Sequence, residues 1–353
     1  MASPFLKKLE KRFKRILKAS LQLLFAKNRQ PALRLSELNK VIVFRLDQRL
    51  GNGIMLLPLL RAMKQSKPDL QIYYFIHHPV ANLFKATTDG LVESYWAYNQ
   101  PELLARPWRY LSLIRKLRRE KLDVAFSSHN PDNFSLSQAI FGRLLKPRML
   151  VGFDARDSRD FYDLAISSTT EQHYAESMLD LWRTFDSKAE CKFGGFSVPK
   201  ESIKKVESDF PERTGGVLIW LGATKSKVLD GEVFERLYKL IEKGGEEQIH
   251  FAAAPADEAH IADYPEWIRE RTLIWQRSLM ETSAYFSCFR LFVSADTGPM
   301  HLAVALRIPT LTLFIKSNMI QYGYQEEAQH YSLMLGDESS WAEIEKAIVA
   351  LNC

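Results

Sequence analysis

Cysteine is scarce in this chain: Cys191, Cys288 and Cys353 stand far apart in 353 residues. Three scattered thiols make no disulfide framework and no metal-ligand spacing, and they suit a reducing compartment. Histidines and acids form no zinc-like cluster either, since His77 and His78 are adjacent rather than helically spaced. No apolar run reaches the roughly 20 residues needed to cross a bilayer. No G-x-G-x-x-G stands after either candidate first strand, which discounts a Rossmann-type oxidoreductase. Excess positive charge is also missing, except at one end. The net charge is +6, yet residues 1–34 hold ten Lys/Arg against one acid, Glu10, a balance of +9. The remainder carries −3, which argues against a nucleic-acid partner.

What remains is an ordinary globular composition, 46% hydrophobic and 25% charged. The length suffices for two domains. In the basic N-terminal segment Phe5, Leu6, Leu9, Phe13, Ile16, Leu17 and Leu24 recur at helical spacing, and Lys/Arg fill most of the opposite face. That is the pattern of an amphipathic helix lying in a membrane interface. Anionic lipid contributes roughly 1 kcal/mol per basic residue near the surface. Residues 1–30 are therefore expected to meet an anionic membrane surface; a helix docked on the protein's own surface is the plainer alternative. A signal peptide at 21–26 fits poorly, because the charged stretch before it is long and no A-x-A site comes after it.

From Lys40 the chain reads as two similar series. A strand at 41–44 leads into a polar loop, Arg45-Leu46-Asp47-Gln48-Arg49-Leu50-Gly51-Asn52-Gly53, then a helix at 54–63 and a strand at 71–76. This is a βαβ unit with its loop at a carboxyl strand end. Further strands are expected at 123–126 and 150–152, with helices at 108–120, 135–145 and 173–185. Residues 186–199, with Gly194-Gly195 and little periodicity, read as a linker. The second series has a strand at 216–221, a helix at 232–243 and a strand at 248–253. Doubly wound α/β domains facing a cleft are the expected architecture: an extension at 1–38, one domain at 39–188 and a second at 189–353.

The most informative stretch is Ser294-Ala295-Asp296-Thr297-Gly298-Pro299-Met300-His301-Leu302-Ala303. It comes after the apolar run 290–293 and runs into a helix rich in small and straight-chain residues. Thr297, Gly298 and Pro299 thus sit where a strand ends and a helix opens, a place whose N–H groups favour phosphate. Asp296 adds a carboxylate and His301 an imidazole. Read structurally, Asp296 or Thr297 caps the helix, Pro299 fills its first turn and His301 is a core residue.

The arrangement as a whole resembles the lipopolysaccharide heptosyltransferases, glycosyltransferase family 9. Their usual text is close to S-x-D-T-G-P-x-H-L-A-A-A-L-x-x-P-T-x-x-L-F, and 294–314 matches it almost throughout. The segments 39–79, 122–185 and 216–314 look like the family; the first 38 residues do not. The resemblance implies a GT-B fold, with 39–188 as the acceptor-side domain and 189–353 as the nucleotide-sugar-binding domain, and an inverting transfer of heptose from ADP-heptose to the lipopolysaccharide inner core. It implies a lipid-linked core oligosaccharide as acceptor and a place on the cytoplasmic face of the bacterial inner membrane. No cofactor or metal is expected.

Such a transfer needs a base, a stabiliser of the departing diphosphate, and a pocket that aligns both partners. The family's base is thought to be an Asp in the first loop, in text like R-x-D-x-x-G-D. Here that position holds Asn52, whose amide cannot accept the proton. Two readings stay open. Asp47 in the same loop acts as base, or the acceptor assists itself; alternatively the chain binds a nucleotide sugar without transferring it. On the donor side, Lys227 best matches the family lysine that contacts the phosphates, although Leu229 and Asp230 replace its following Trp-Pro. Lys225 is the substitute, and Thr224 could give a hydroxyl to the same phosphate. Asp257 matches the family acid that reaches the donor ribose; an acidic first helical turn is the plain alternative. After Phe314 the family's Gly-Pro-Thr-Asp is replaced by Ile315-Lys316-Ser317-Asn318. His173 matches a common family histidine and reads as structural or acceptor-side.

Overall fold

The computed structural model describes residues 32–351 apart from 48, 89, 156–157 and 246–247. The amphipathic N-terminal segment expected at 1–30 lies outside the described residues.

Among the described residues twelve strands form two six-stranded sheets. The first contains β1 (Lys40–Arg45), β2 (Gln71–His77), β3 (Ser94–Tyr98), β4 (Val124–Ser127), β5 (Met149–Phe153) and β6 (Leu164–Ile166). The second contains β7 (Val217–Trp220), β8 (Ile249–Ala253), β9 (Thr272–Ile274), β10 (Leu291–Ala295), β11 (Thr310–Phe314) and β12 (His330–Met334). Every strand pair is parallel. The orders are β3-β2-β1-β4-β5-β6 and β12-β11-β10-β7-β8-β9. They are the same winding used twice, reversing direction between β1 and β4 and again between β7 and β10. Open α/β sheets bind ligands at such reversals, outside the carboxyl strand ends.

Burial explains why these runs are strands. β4, β5, β7, β10 and β11 are buried along their whole length. Continuous apolar runs of this kind suit a parallel sheet covered by helices on both faces. The helix expected at 54–63 is broken in two, Leu50–Ile54 and Leu57–Ser66. Pro58 explains the break. It has no N–H to give and would strike the carbonyl one turn back, so it occupies the first turn of a new helix instead.

One apolar cluster joins the two sheets, with Val43, Leu57 and Trp182 on one side and Trp220, Phe292 and Leu302 on the other. The helix Leu50–Ile54 packs on the helix Gly298–Ala305. Gly51 makes that approach possible: a Cβ there would fall 2.3 Å from His301 Cδ2. The Asp47 loop is thereby held against the helix that comes after Asp296.

Candidate active site

The first reversal point is organised by a buried arginine. β1 ends on Arg45, which is fully buried. Its terminal nitrogens donate to the Ser128 carbonyl, to Tyr174 Oη at 2.5 Å and to Asn130 Oδ1 at 3.1 Å. Burial works against the charge, but Tyr174 and Asp47 outweigh it and raise the pKa. The arginine thus stays cationic and clamps the loop after β4 to the loop after β1.

Asp47 is the other partner of that cation, 2.5 Å from Arg45 Nη2. It also accepts from the Arg49 backbone N–H at 3.2 Å and from Asn52 Nδ2 at 3.2 Å. Its side chain keeps 23% of its surface, so a substrate hydroxyl can still reach it. Asn52 is buried and its amide points at the Asp47 carboxylate. In the position of the family aspartate, then, stands a donor that orients a different carboxylate. His129, which the sequence pattern did not single out, lies between the two Arg45 partners Ser128 and Asn130. Burial and the Arg45 charge pull its pKa to about 4, so the ring is neutral near pH 7.

The second reversal point holds the residues that the sequence pattern assigns to the donor. Lys227 and Asp296 meet here, Nζ to Oδ2 at 2.5 Å. Asp296 is almost wholly buried and Lys227 a third exposed. Thr297 is extended and gives no side-chain cap to the helix Gly298–Ala305. Asp296 is likewise committed to Lys227 rather than to the helix start. A Cβ on Gly298 would meet nothing within 4 Å, so the first turn faces open space. The capping alternative therefore describes neither Asp296 nor Thr297, while Pro299 does occupy the first turn.

His301 is buried, with Nδ1 2.8 Å from Tyr324 Oη. Burial brings its pKa to about 4, against the pull of Asp296. It packs beneath Gly51 rather than at the open helix start. Thr224 is exposed, and its carbonyl accepts from Lys227 N at 3.1 Å, closing the turn that presents the lysine. The side chain of Lys225 lies outside the described residues. Asp257 accepts from Ala254 N at 3.1 Å and so closes the turn at Pro255–Asp257. Burial raises its pKa. Its carboxylate leans over Gly222, where a Cβ would fall 2.1 Å from Oδ2.

Two tyrosines connect the reversal points. Tyr174 stacks on Tyr322 with ring centres 6.0 Å apart, and Lys227 Nζ lies 5.8 Å from the Tyr322 ring centre. Tyr322 belongs to the short helix Met319–Tyr322, whose first turn is capped by Asn318. Asn318 also donates to the Thr170 carbonyl at 3.3 Å. The stretch 315–318, where the sequence leaves the family pattern, thus builds a helix that carries an aromatic ring into the cleft. His173 is wedged between Phe193 and Tyr324, each ring centre 4.9 Å away. Its place is structural.

Paired parallel sheets with matching reversal points define the GT-B class of fold. The family model described as glycosyltransferase family 9 (heptosyltransferase) matches residues 110–346, and the chain belongs to that family. It is a glycosyltransferase. Among solved structures it is similar to a glycosyl transferase family 9 protein from Veillonella parvula, with 15% identity, a TM-score of 0.69 and 91% of each chain covered. It is similar to E. coli heptosyltransferase WaaC with ADP, at 16% identity and a TM-score of 0.64, covering 89% of this chain and 100% of that one. It also resembles E. coli ADP-heptose lps heptosyltransferase II, at 14% identity and a TM-score of 0.66, covering 89% and 98%. No curated protein matches the sequence.

Proposed function

We propose that this protein is an inverting transferase that moves heptose from ADP-heptose to a lipid-linked lipopolysaccharide core acceptor. The observation that carries the reading is the Lys227–Asp296 pair beside the open helix start at Gly298. The diphosphate would lie on the Gly298 turn, with Lys227 as its cation and Thr224 at its edge. Asp257, half-buried at the end of β8, would take the ribose hydroxyls. ADP complexes of WaaC support the nucleotide class.

In the reaction the acceptor oxygen bonds to the anomeric carbon from the face opposite the diphosphate. The bond to ADP breaks, the electron pair leaves with the phosphate, and the hydroxyl proton passes to a base. Asp47 is that base in our reading: it is paired with Arg45, oriented by Asn52, and partly open to the cleft. Held by Arg45, Asn52 and the Arg49 N–H, it contributes chiefly by position. Residues 1–30 would keep the enzyme on the cytoplasmic face of the inner membrane, where a lipid-linked acceptor lies.

Calorimetry with ADP-, UDP- and GDP-sugars tests the donor. Binding of ADP-heptose well above the others is expected. Preference for UDP- or GDP-sugars would overturn the donor assignment.

A further inference from the structure

The helix Pro107–Arg119 has an inner and an outer apolar face. Tyr110, Ile114 and Leu117 are buried against the first sheet's core. On the outer face Trp108 is 61% and Leu111 52% exposed. Residues 103–119 contain six cations and no acid. Lys116 sits over the Trp96 ring at 4.8 Å, Arg118 donates to the Leu144 carbonyl, and Arg109 pairs with Glu102. Arg106, Arg115 and Arg119 pair with no carboxylate among the described residues. Single exposed apolar side chains are commonplace. A tryptophan and a leucine one helical turn apart, ringed by unpaired arginines, are a different arrangement.

We infer that this outer face of Pro107–Arg119 is a second membrane-contact surface, docking on anionic lipid from within the folded body. The charge decides the occupant. An unpaired arginine cluster is attracted by anionic headgroups, and tryptophan favours the headgroup level, where its ring is apolar and its N–H wet. Topology supplies the use. β3 ends at Tyr98, and the helix Pro107–Arg119 runs back to the start of β4. In a parallel sheet its first turn, with Trp108, is therefore level with the carboxyl strand ends that carry Asp47. A bilayer docked there lies beside the mouth of the cleft. The inference depends neither on residues 1–30 nor on the identity of the donor.

The test uses the full chain. Residues 1–31 contain no tryptophan, and Trp108 is the exposed one among the described residues. Vesicles of phosphatidylcholine and phosphatidylglycerol with brominated acyl chains should quench tryptophan emission. Trp108→Phe should remove that quenching while the protein still sediments with vesicles. Trp108→Ser/Leu111→Ser should weaken sedimentation several-fold and leave ADP binding unchanged. Quenching that persists in Trp108→Phe, or sedimentation without quenching in wild type, overturns the inference. So does a shift from oligomer to monomer in Trp108→Ser/Leu111→Ser, which would make a second copy of the chain the occupant.

Discussion

Lys227 Nζ stands 2.5 Å from Asp296 Oδ2, joining the loop after β7 to the end of β10 directly in front of the helix start at Gly298. The two ends are adjacent because β7 and β10 are hydrogen-bonded neighbours. An almost buried carboxylate aims a partly exposed cation at an open helix terminus. The pair presents a positive group of fixed direction, as anchoring a diphosphate requires.

Lys227→Ala should weaken ADP binding by about 1.5–3 kcal/mol, the range for a hydrogen bond to a charged group. Asp296→Ala should also weaken it, because the ammonium loses its anchor. The double variant should cost less than the two losses added, since the residues act as a unit. Calorimetry on folded variants reads all three values. ADP affinity equal to wild type in both single variants would sink the donor-site assignment.

Gly51→Ala should destabilise the junction of the two halves by about 1–3 kcal/mol, the usual range for overpacking. The added methyl would strike His301, and Tyr324 holds that ring in place. Urea unfolding measures the loss. Wild-type stability in this variant would show that the halves can part without cost.

Stability should fall as the solution is acidified below pH 6.5. His301, His129 and His330 are drawn by burial from 6.5 to about 4, and His173 to about 3. The unfolded chain therefore binds protons in this window while the folded chain does not. The stabilisation is complete above 6.5 and is lost as pH falls toward 4. Each such group removes about 1.4 kcal/mol per pH unit. Urea midpoints at pH 7 and 5.5 provide the check; equal midpoints would contradict it.

Local pattern made the inner strands legible. β1, β7, β8 and β10 are largely apolar runs, and the loops after them carry Asp47, Lys227, Asp257 and Asp296, which could be named in advance. The edges were not legible. β3 is Ser-Tyr-Trp-Ala-Tyr, with only its last residue buried, and β6 has three half-buried residues. Neither shows a period to detect. The Tyr174–Tyr322 stack joins residues 148 positions apart, a convergence set by tertiary packing. His129 did leave a signal: it stands two residues past the buried strand Val124–Ser127, level with the loop after β1.

Deleting residues 1–30 should weaken binding to anionic vesicles and leave ADP binding intact, given the +9 balance of residues 1–34. Raising salt should weaken what remains of the wild-type binding, as the Debye length shortens from about 8 Å toward 3 Å. Sedimentation unchanged by the deletion would remove the N-terminal segment from the membrane account.

The proton acceptor is decided by two variants of the first loop. If Asp47 is the base, Asp47→Asn should lower turnover by about 100-fold or more with little change in donor affinity. Asn52→Asp is the more informative. Asn52 Nδ2 now donates to Asp47 Oδ2 at 3.2 Å. A carboxylate in its place removes that donor and sets two acids against each other, so one of them should hold its proton to a higher pH. With the charge kept on Asp47, the rate profile of Asn52→Asp should rise where that of wild type does, with similar or faster turnover, and should change again only at the higher pH where residue 52 ionises. Arg45, 2.5 Å from Asp47, favours keeping the charge on Asp47 and the proton on residue 52. Turnover that appears only in Asn52→Asp would show that Asp47 is not a competent base. Loss in Asp47→Asn together with an unshifted rise in Asn52→Asp would make Asp47 the group that takes the acceptor's proton.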